Sequence, residues 1–578
     1  MDRRSRTRNI GPRARWGMAI VGSCVLAALA VTWPLARHLP TAVPLGSEPA
    51  ATVPLFSLWT LWWAGDRAGH GFAGYGDAPI FYPNRGVTNY SEPMPLIGLP
   101  VAPLWGLGVP PALIYNLALL AVLTLNGVFG YRLSRAVGAP ALPALLVGLL
   151  TVTLPFVGKH QGVLPNVALF GLLWTLDGLI RFGRCGTTRA ALWAATGMAA
   201  TYYTMQQYAL FLVPFAGAAG VLALGQQGWR GRAMLRLAAA GLLAGLLVLP
   251  DALPATRVRD AAGFRRSEQT VQRLSARPSD FLTRPVTARI ALPAPDAAST
   301  GGLFPGTLLL ALALGGVAIG LRQRGQRRWV IYLVISALVA SLLALGLNLD
   351  LAGWRPFATL RALAPTVAGM RSPYCAAVVG QLCLLPLAGL ALARLRTLGG
   401  GGRRGAALVA LVALLGAGEN LTPLLALAQV PPTPQTPWTA WVRAQPDTTV
   451  VAHVPFPAAP YVWDYEVEAH RMFAQIDHRK PLINGYSGYF PQHLGPDGAV
   501  EPTYTRFQLA MAQQFPDRRL LCALGGGLGA NLLIVDQGWL ADHEPQMGQF
   551  GNFLRPAYAD QQVQICYLTV PDGQCQAG

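Results

Sequence analysis

Charge is scarce in this chain: 12% of its 578 residues are Asp, Glu, Lys or Arg, against 53% apolar ones, and mean hydropathy is +0.38. That balance excludes a soluble globular enzyme and places the sequence among polytopic membrane proteins. Acids are the rarer sign, 26 against 45 basic groups. The net charge of +19 does not point to nucleic acid, because residues 428–578 carry 8 basic and 13 acidic groups and the excess lies in 1–427. Cysteine is sparse, seven residues with no CxxC or comparable ligand spacing, and the eight His do not pair at ligand spacing either. Neither set reads as a metal site. GxxxxGK[ST], HExxH and GxSxG are all absent. Known soluble-enzyme chemistry is thereby left without a motif.

What the chain does have is eleven apolar segments: 16–36, 111–131, 139–157, 163–180, 190–205, 207–225, 237–252, 303–321, 329–347, 373–393 and 405–425. With the N-terminus inside, alternation puts 1–15, 132–138, 181–189, 226–236, 322–328 and 394–404 on the cytoplasmic side. Those six short stretches hold 22 Arg and one acid, Asp2. Sorting of this kind is what the positive-inside rule describes, with Arg meeting anionic headgroups. Of the other twelve acids before residue 428, only Asp177 lies deep in a span. The remainder map to the outer face or its margin. Residues 1–15 are too basic and 16–36 too long for a cleaved signal, so the first span reads as an uncleaved anchor. The expected location is the cytoplasmic membrane, with the N-terminus cytoplasmic and the C-terminal region extracytoplasmic.

The transmembrane module thus covers 1–427 and has three long outer loops, 37–110, 253–302 and 348–372. In the first, the Trp-rich run 53–63 lies between Glu48 and Asp66, which suits a helix in the membrane interface. The proline-broken stretch 94–109 reads as a re-entrant or kinked segment. The second loop carries eight Arg (257, 259, 265, 266, 273, 277, 284 and 289), and the third carries Arg355, Arg361 and Arg371. Long loops translocate regardless of charge; alternatively, these outward Arg residues hold an anionic group such as a lipid-linked phosphate. After the Pro-rich linker 431–437, residues 428–578 show short β-branched runs between polar helical stretches. They predict an extracytoplasmic α/β domain. Cys566 and Cys575 flank a strand and a Pro-Asp-Gly turn, so a bridge between them is expected, leaving Cys522 over. The run 525–530, GlyGlyGlyLeuGlyAla, falls between helix and strand in the wrong order for a phosphate loop and reads as a helix C-cap.

Glu48, in GlySerGluPro (46–49), stands at the water–lipid boundary just after the first span. A carboxylate there can act as general base toward an acceptor hydroxyl, and partial burial raises its pKa to a useful range. It can equally be a helix N-terminal acid facing the macrodipole. Asp66 and Asp77 compete for the base role, as does Glu92 in its turn-like context.

The run GlySerGluPro…LeuPheSerLeuTrpThrLeuTrpTrp, with IlePheTyrProAsnArgGly and IleTyrAsnLeuAlaLeuLeu (114–120), resembles the start of the GT-C superfamily of polyprenyl-phosphate-dependent glycosyltransferases. The likeness continues through 153–162, ThrTyrTyr (201–203) and 364–373, and reaches HisArgLysProLeuIleAsnGlyTyrSerGlyTyrPhePro (478–491). The resemblance implies a GT-C-like membrane module of about eleven helices, a catalytic carboxylate in the first outer loop, and an outward C-terminal domain. It further implies a polyprenyl-phosphate-linked sugar as donor, a glycan, lipid or protein as acceptor, and contacts to substrate from His160, Tyr203 and Arg371. No cofactor is fixed, and a divalent cation stays open. Relatives carry an Asp nine to ten residues before TrpTrp, where this chain has Ala51 and Thr52. Either Glu48 substitutes or the chain is a membrane scaffold or glycan-binding protein that has lost transfer. A coupled transporter ranks lower, because Asp177 is nearly alone among ionisable groups in the spans.

Overall fold

The computed structural model describes residues 12–285, 301–421, 425–493, 503–571 and 575. Asp2, Arg289, Asp296, and Asp572 and Gly573 of the expected hairpin turn lie outside them. The chain runs through α1 (Pro12–Val31), α2 (Thr52–Gly69), α3 (Pro95–Gly106), α4 (Pro111–Val137), α5 (Ala141–Val152) and α6 (Phe170–Cys185). Then come α7 (Thr188–Thr204), α8 (Gln206–Gln226), α9 (Gly231–Ala261), α10 (Thr307–Arg322), α11 (Arg327–Ala344), α12 (Ala377–Leu398) and α13 (Arg403–Asn420). All except α2 and α3 are the apolar segments read from the sequence. Among the described helices seven are long and apolar enough to cross a membrane by length and composition. Of the other four, α6, α7 and α10, at 16, 17 and 16 residues, are shorter, and the 18-residue α13 carries Arg403, Arg404 and Glu419; α5 reaches span length only with the turn that follows it to Lys159. The protein is a multi-pass, mainly helical membrane protein.

Local chemistry sets the boundaries. Pro111 begins α4, where its missing N–H costs nothing, and Gly186 ends α6 in the left-handed conformation. Met205, extended at φ −157°, breaks α7 from α8 and lets the chain turn back. Arg-bearing turns meet at one end of the bundle. There Arg184 donates to the Val137 carbonyl (2.8 Å), Gln227 to Gly183 (2.7 Å), and Trp329 to Gln226 (3.1 Å). Asp177, fully buried in α6, accepts from Arg132 (3.2 Å) on α4, Arg181 (2.6 Å) and Trp193 (3.1 Å) on α7. The intramembrane acid is therefore a neutralised helix tie.

The Trp-rich helix is not interfacial. Trp59, Trp62 and Trp63 of α2 are 5% exposed or less, because α3 covers one side and the C-terminal region the other. Trp59 donates to Gln475 (3.0 Å) and Trp63 to the Tyr75 carbonyl (2.9 Å), so each of these indole N–H groups finds a buried partner instead of a headgroup. The stretch 94–109 holds the 12-residue α3, with Pro100 and Pro103 inside it, packed on α2.

β1 (Ala42–Pro44), just after α1, pairs antiparallel with β2 (Leu427–Gln429), tying the start of the C-terminal region to the first loop. Beyond it lie α14 (Pro437–Arg443), β3 (Val451–Val454), α15 (Glu466–His478), β4 (Leu532–Asp536), β5 (Leu554–Ala559) and β6 (Val563–Leu568). The sheet order is β3-β4-β6-β5, with β3 and β4 parallel. Val451–Val454 are buried throughout, as expected of a strand covered on both faces. The Gly run 523–527 forms a single π-turn and Gly529 takes φ +72°, leading into β4. That agrees with a helix end. The disulfide joins Cys522 to Cys575, and the expected Cys566 partner is free and buried. Cys566 faces the core from the middle of β6, which removes it from reach of the chain end.

Candidate functional site

Glu48 owes its position to two loops locked together. Leu45 donates to the Ala426 carbonyl (2.9 Å), Ser47 to Lys159 (2.9 Å) and Glu48 to Leu45 (3.0 Å). Gly46 takes φ +60°, and a Cβ there would stand 2.6 Å from the Lys159 carbonyl oxygen; one on facing Gly162 would stand 2.1 Å from the Leu45 oxygen. Only glycine admits this approach. The Glu48 carboxyl makes no hydrogen bond or ion pair among the described residues. Burial raises its pKa above the ordinary carboxylate value, with Arg371 and Lys159 pulling the other way.

Glu48 and Arg371 line the same cavity, of about 800 Å³. Its polar end is formed by Glu48, Glu92, Arg259, Arg266 and Arg371, with Tyr486 and Tyr489 of the C-terminal region as a wall. Along α9 the lining continues through Ala255, Val248 and Gly245 to Gly241, a stretch of about 27 Å at the helical rise. Met198 of α7 and Leu210 and Val213 of α8 face it. α9 packs along α7 and scarcely touches α8, which leaves this arm open between helices. Most of α9 is exposed on the bundle surface, so the arm borders the lipid. The cavity has a cationic head at one end and an apolar tail groove at the other.

The loop 486–489 closes the head. Tyr489 donates to the Gly369 carbonyl (2.7 Å), stacks on Phe264 (4.4 Å between centroids) and lies under the Arg266 guanidinium at 3.5 Å. Arg266 also donates to the Gly488 carbonyl. Upstream, Asn484 is buried and bonded to Glu468 (3.0 Å) and the His453 carbonyl (3.1 Å). The stretch 484–488 therefore makes a loop held from behind. Arg371 makes no hydrogen bond or ion pair among the described residues. Glu92 accepts from the Gln206 N–H (2.7 Å) and the Gln207 N–H (3.3 Å) at the start of α8, and burial pushes its pKa to about 7. Tyr202, beside it, donates to Asp251 (2.8 Å).

The remaining residues singled out in the sequence lie off this cavity. Asp66 is buried and paired with Arg67 and with Arg479 (3.2 Å), tying α2 to the C-terminal region. Asp77 accepts from the Gly86 N–H (2.8 Å), closing its own loop. His160 sits one layer behind, its Nε2 against the Tyr374 hydroxyl (2.9 Å) and its Nδ1 against the Phe156 carbonyl (2.8 Å). Tyr203 donates to the Leu247 carbonyl (2.7 Å), joining α7 to α9, while its neighbour Tyr202 lines the cavity. At the start of α2, Thr52 donates to the Val462 carbonyl (2.7 Å) and the Ala51 N–H to Glu466 (3.0 Å). The C-terminal region thus seals the start of α2. Among the described residues no three His, Cys, Asp or Glu side chains gather as a cation site; Arg259, Arg266 and Arg371 line the cavity.

No protein-family model and no curated protein matches the chain. Solved structures do. The cryo-EM structure of the arabinofuranosyltransferase AftD from Mycobacteria matches at TM-score 0.55 and 15% identity, covering 97% of this chain and 40% of that one. A second AftD structure gives 0.54 and 16%, covering 97% and 42%. The archaeal oligosaccharyltransferase AglB from Archaeoglobus fulgidus gives 0.46 and 12%, covering 97% and 75%. The present chain spans about 40% of the length of AftD. At these identities the likeness is one of fold, the GT-C-like membrane fold expected from the sequence.

Proposed function

We propose that this protein is a membrane glycosyltransferase that moves a sugar from a polyprenyl-phosphate donor to an acceptor at the outer face of the cytoplasmic membrane. The observation that supports it is a cavity in which Glu48, whose carboxyl makes no hydrogen bond among the described residues, and a group of guanidinium ions share the head of a long apolar groove. The prenyl chain lies in the arm along Gly241–Val248, where small residues leave room. The phosphate lies among Arg371, Arg259 and Arg266, which offer planar donors suited to its oxygens. Glu48 takes the proton from an acceptor hydroxyl, whose oxygen attacks the anomeric carbon from the opposite side. The bond to the phosphate oxygen breaks with inversion, and the polyprenyl phosphate leaves with its charge held by guanidinium. A divalent cation is not required by this scheme, and no step runs through one.

The alternative, a glycan-binding scaffold without transfer, draws on the sealed start of α2 at Ala51 and Thr52, which leaves no carboxylate at the relatives' position. Binding of radiolabelled polyprenyl phosphate to the full chain in nanodiscs, followed by turnover with a polyprenyl-phosphate sugar, tests the transferase. Saturable lipid binding is expected; a chain that binds no polyprenyl phosphate sinks the proposal.

A further inference from the structure

Among the described residues of the C-terminal region, every large apolar side chain is buried or half-buried except two, Tyr461 and Trp463, each 53% exposed. Their rings are stacked at 4.9 Å between centroids and 8° between planes. They are also held in place: the Tyr461 N–H donates to Asp464 (3.1 Å), the Asp464 N–H to the Tyr461 carbonyl (3.0 Å), and Thr52 to the Val462 carbonyl (2.7 Å). Val462, between them, lines the cavity that contains Glu48. A rigid, water-exposed aromatic platform thus stands at the edge of the site.

We propose that the Tyr461–Trp463 stack is an acceptor subsite that binds a saccharide. Pyranose and furanose rings carry patches of C–H on one face, and these settle on flat aromatic faces while the hydroxyls stay in water. The inference rests on the transferase reading and narrows it, making the acceptor a glycan and not a peptide or bare lipid. A role as a membrane-interface anchor fits less well. The stretch 460–469 holds Asp464, Glu466 and Glu468 and no basic residue, whereas surface-seeking segments carry Lys or Arg to meet anionic headgroups.

The test uses the full chain in nanodiscs and a panel of soluble oligosaccharides of pentose and hexose units, read by saturation-transfer NMR and Trp fluorescence. Wild type binds at least one member, and Tyr461→Ala with Trp463→Ala weakens that binding at least tenfold. Polyprenyl-phosphate binding stays unchanged in this variant, which also reports that it is folded. Tyr461→Phe with Trp463→Phe retains most of the saccharide affinity. If no oligosaccharide binds wild type, or the double Ala variant binds as well, the subsite is refuted while intact donor binding leaves the transferase standing. Quenching of Trp463 by brominated lipid, with no saccharide response, makes the pair an anchor and likewise overturns the inference. Loss of donor binding in wild type, with saccharide binding at the pair intact, sinks the transferase and leaves the saccharide site.

Discussion

At the scale of single residues, the proposed transfer turns on two side chains that make no hydrogen bond or ion pair among the described residues. Glu48→Gln keeps the shape but cannot accept a proton, so turnover should fall by about 10²–10⁴-fold with donor binding nearly intact. Because burial raises the Glu48 pKa, wild-type turnover should climb with pH over a range above that of ordinary carboxylates. An acid limb at the usual carboxylate value would argue that another group is the base. Arg371→Ala should instead weaken donor binding by roughly 10–150-fold, the worth of a charge-assisted contact of about 1.5–3 kcal/mol. An unchanged affinity would reduce Arg371 to an anchor of its span. Glu92 makes a different prediction. Its pKa of about 7 lies above the unfolded value, so the native state holds a proton the unfolded state has lost between about pH 4.5 and 7. Stability contributed at this site is therefore present at low pH and lost as pH rises through that window. Glu92→Gln should match wild type in thermal melting at pH 4.5 and exceed it at pH 8. Glu48 and Arg371 were singled out in the sequence, one as an acid of the first loop and the other just before a span, and both line one cavity. Arg259, Arg266 and Glu92 stood out less, since one strand of sequence does not show which of eight loop Arg residues face inward.

At the scale of elements, apolar length was readable and partnership was not. All eleven segments form helix, yet α9 runs to Ala261, nine residues past the expected end at 252, because Arg257, Arg259 and Asp260 continue the helix above the apolar part. α2 misleads for a related reason. Its tryptophans have the composition of an interfacial belt, but they are buried, and Trp59 donates to Gln475, more than four hundred residues away. The disulfide shows the same limit: the local strand-and-turn pattern favoured Cys566 with Cys575, while the fold joins Cys522 to Cys575 across 53 residues. The lock between loops 45–48 and 159–162 offers a test at this scale. Gly46→Val puts a branched side chain at φ +60° and against the Lys159 carbonyl, strained conformations costing of order 1–3 kcal/mol. Turnover should drop sharply, because Glu48 moves, although residue 46 does not line the cavity. If Gly46→Val turns over like wild type, the loop lock does not position Glu48.

At the scale of the molecule, the bundle is polarised. The Arg-rich turns 132–138, 181–189 and 226–236 meet at one end through bonds such as Arg184 to Val137 and Arg236 to Gly186 (2.6 Å). The cavity head, the first loop and the C-terminal region occupy the other, joined by β1–β2 pairing and by Tyr489 to Gly369. An even number of crossings separates a cytoplasmic turn from the next, so fixing one end fixes all. Turning the molecule over would send the Arg-rich turns outward, against the bias that orients polytopic proteins, and would put the Cys522–Cys575 bridge in a reducing compartment. A periplasm-dependent phosphatase fused after Gly578 should therefore be active, and a cytoplasm-dependent fluorescent protein at the same place should be dark. The reverse pattern would place Glu48 on the cytoplasmic side and take the outer-face transfer reaction with it. Fusions within 226–236 should behave oppositely to the C-terminal one, and this second arm separates a wrong orientation from a miscounted span. If both positions report the same side, the number of crossings between them is even and not five, with α10, the shortest helix between them at 16 residues, the first to re-examine.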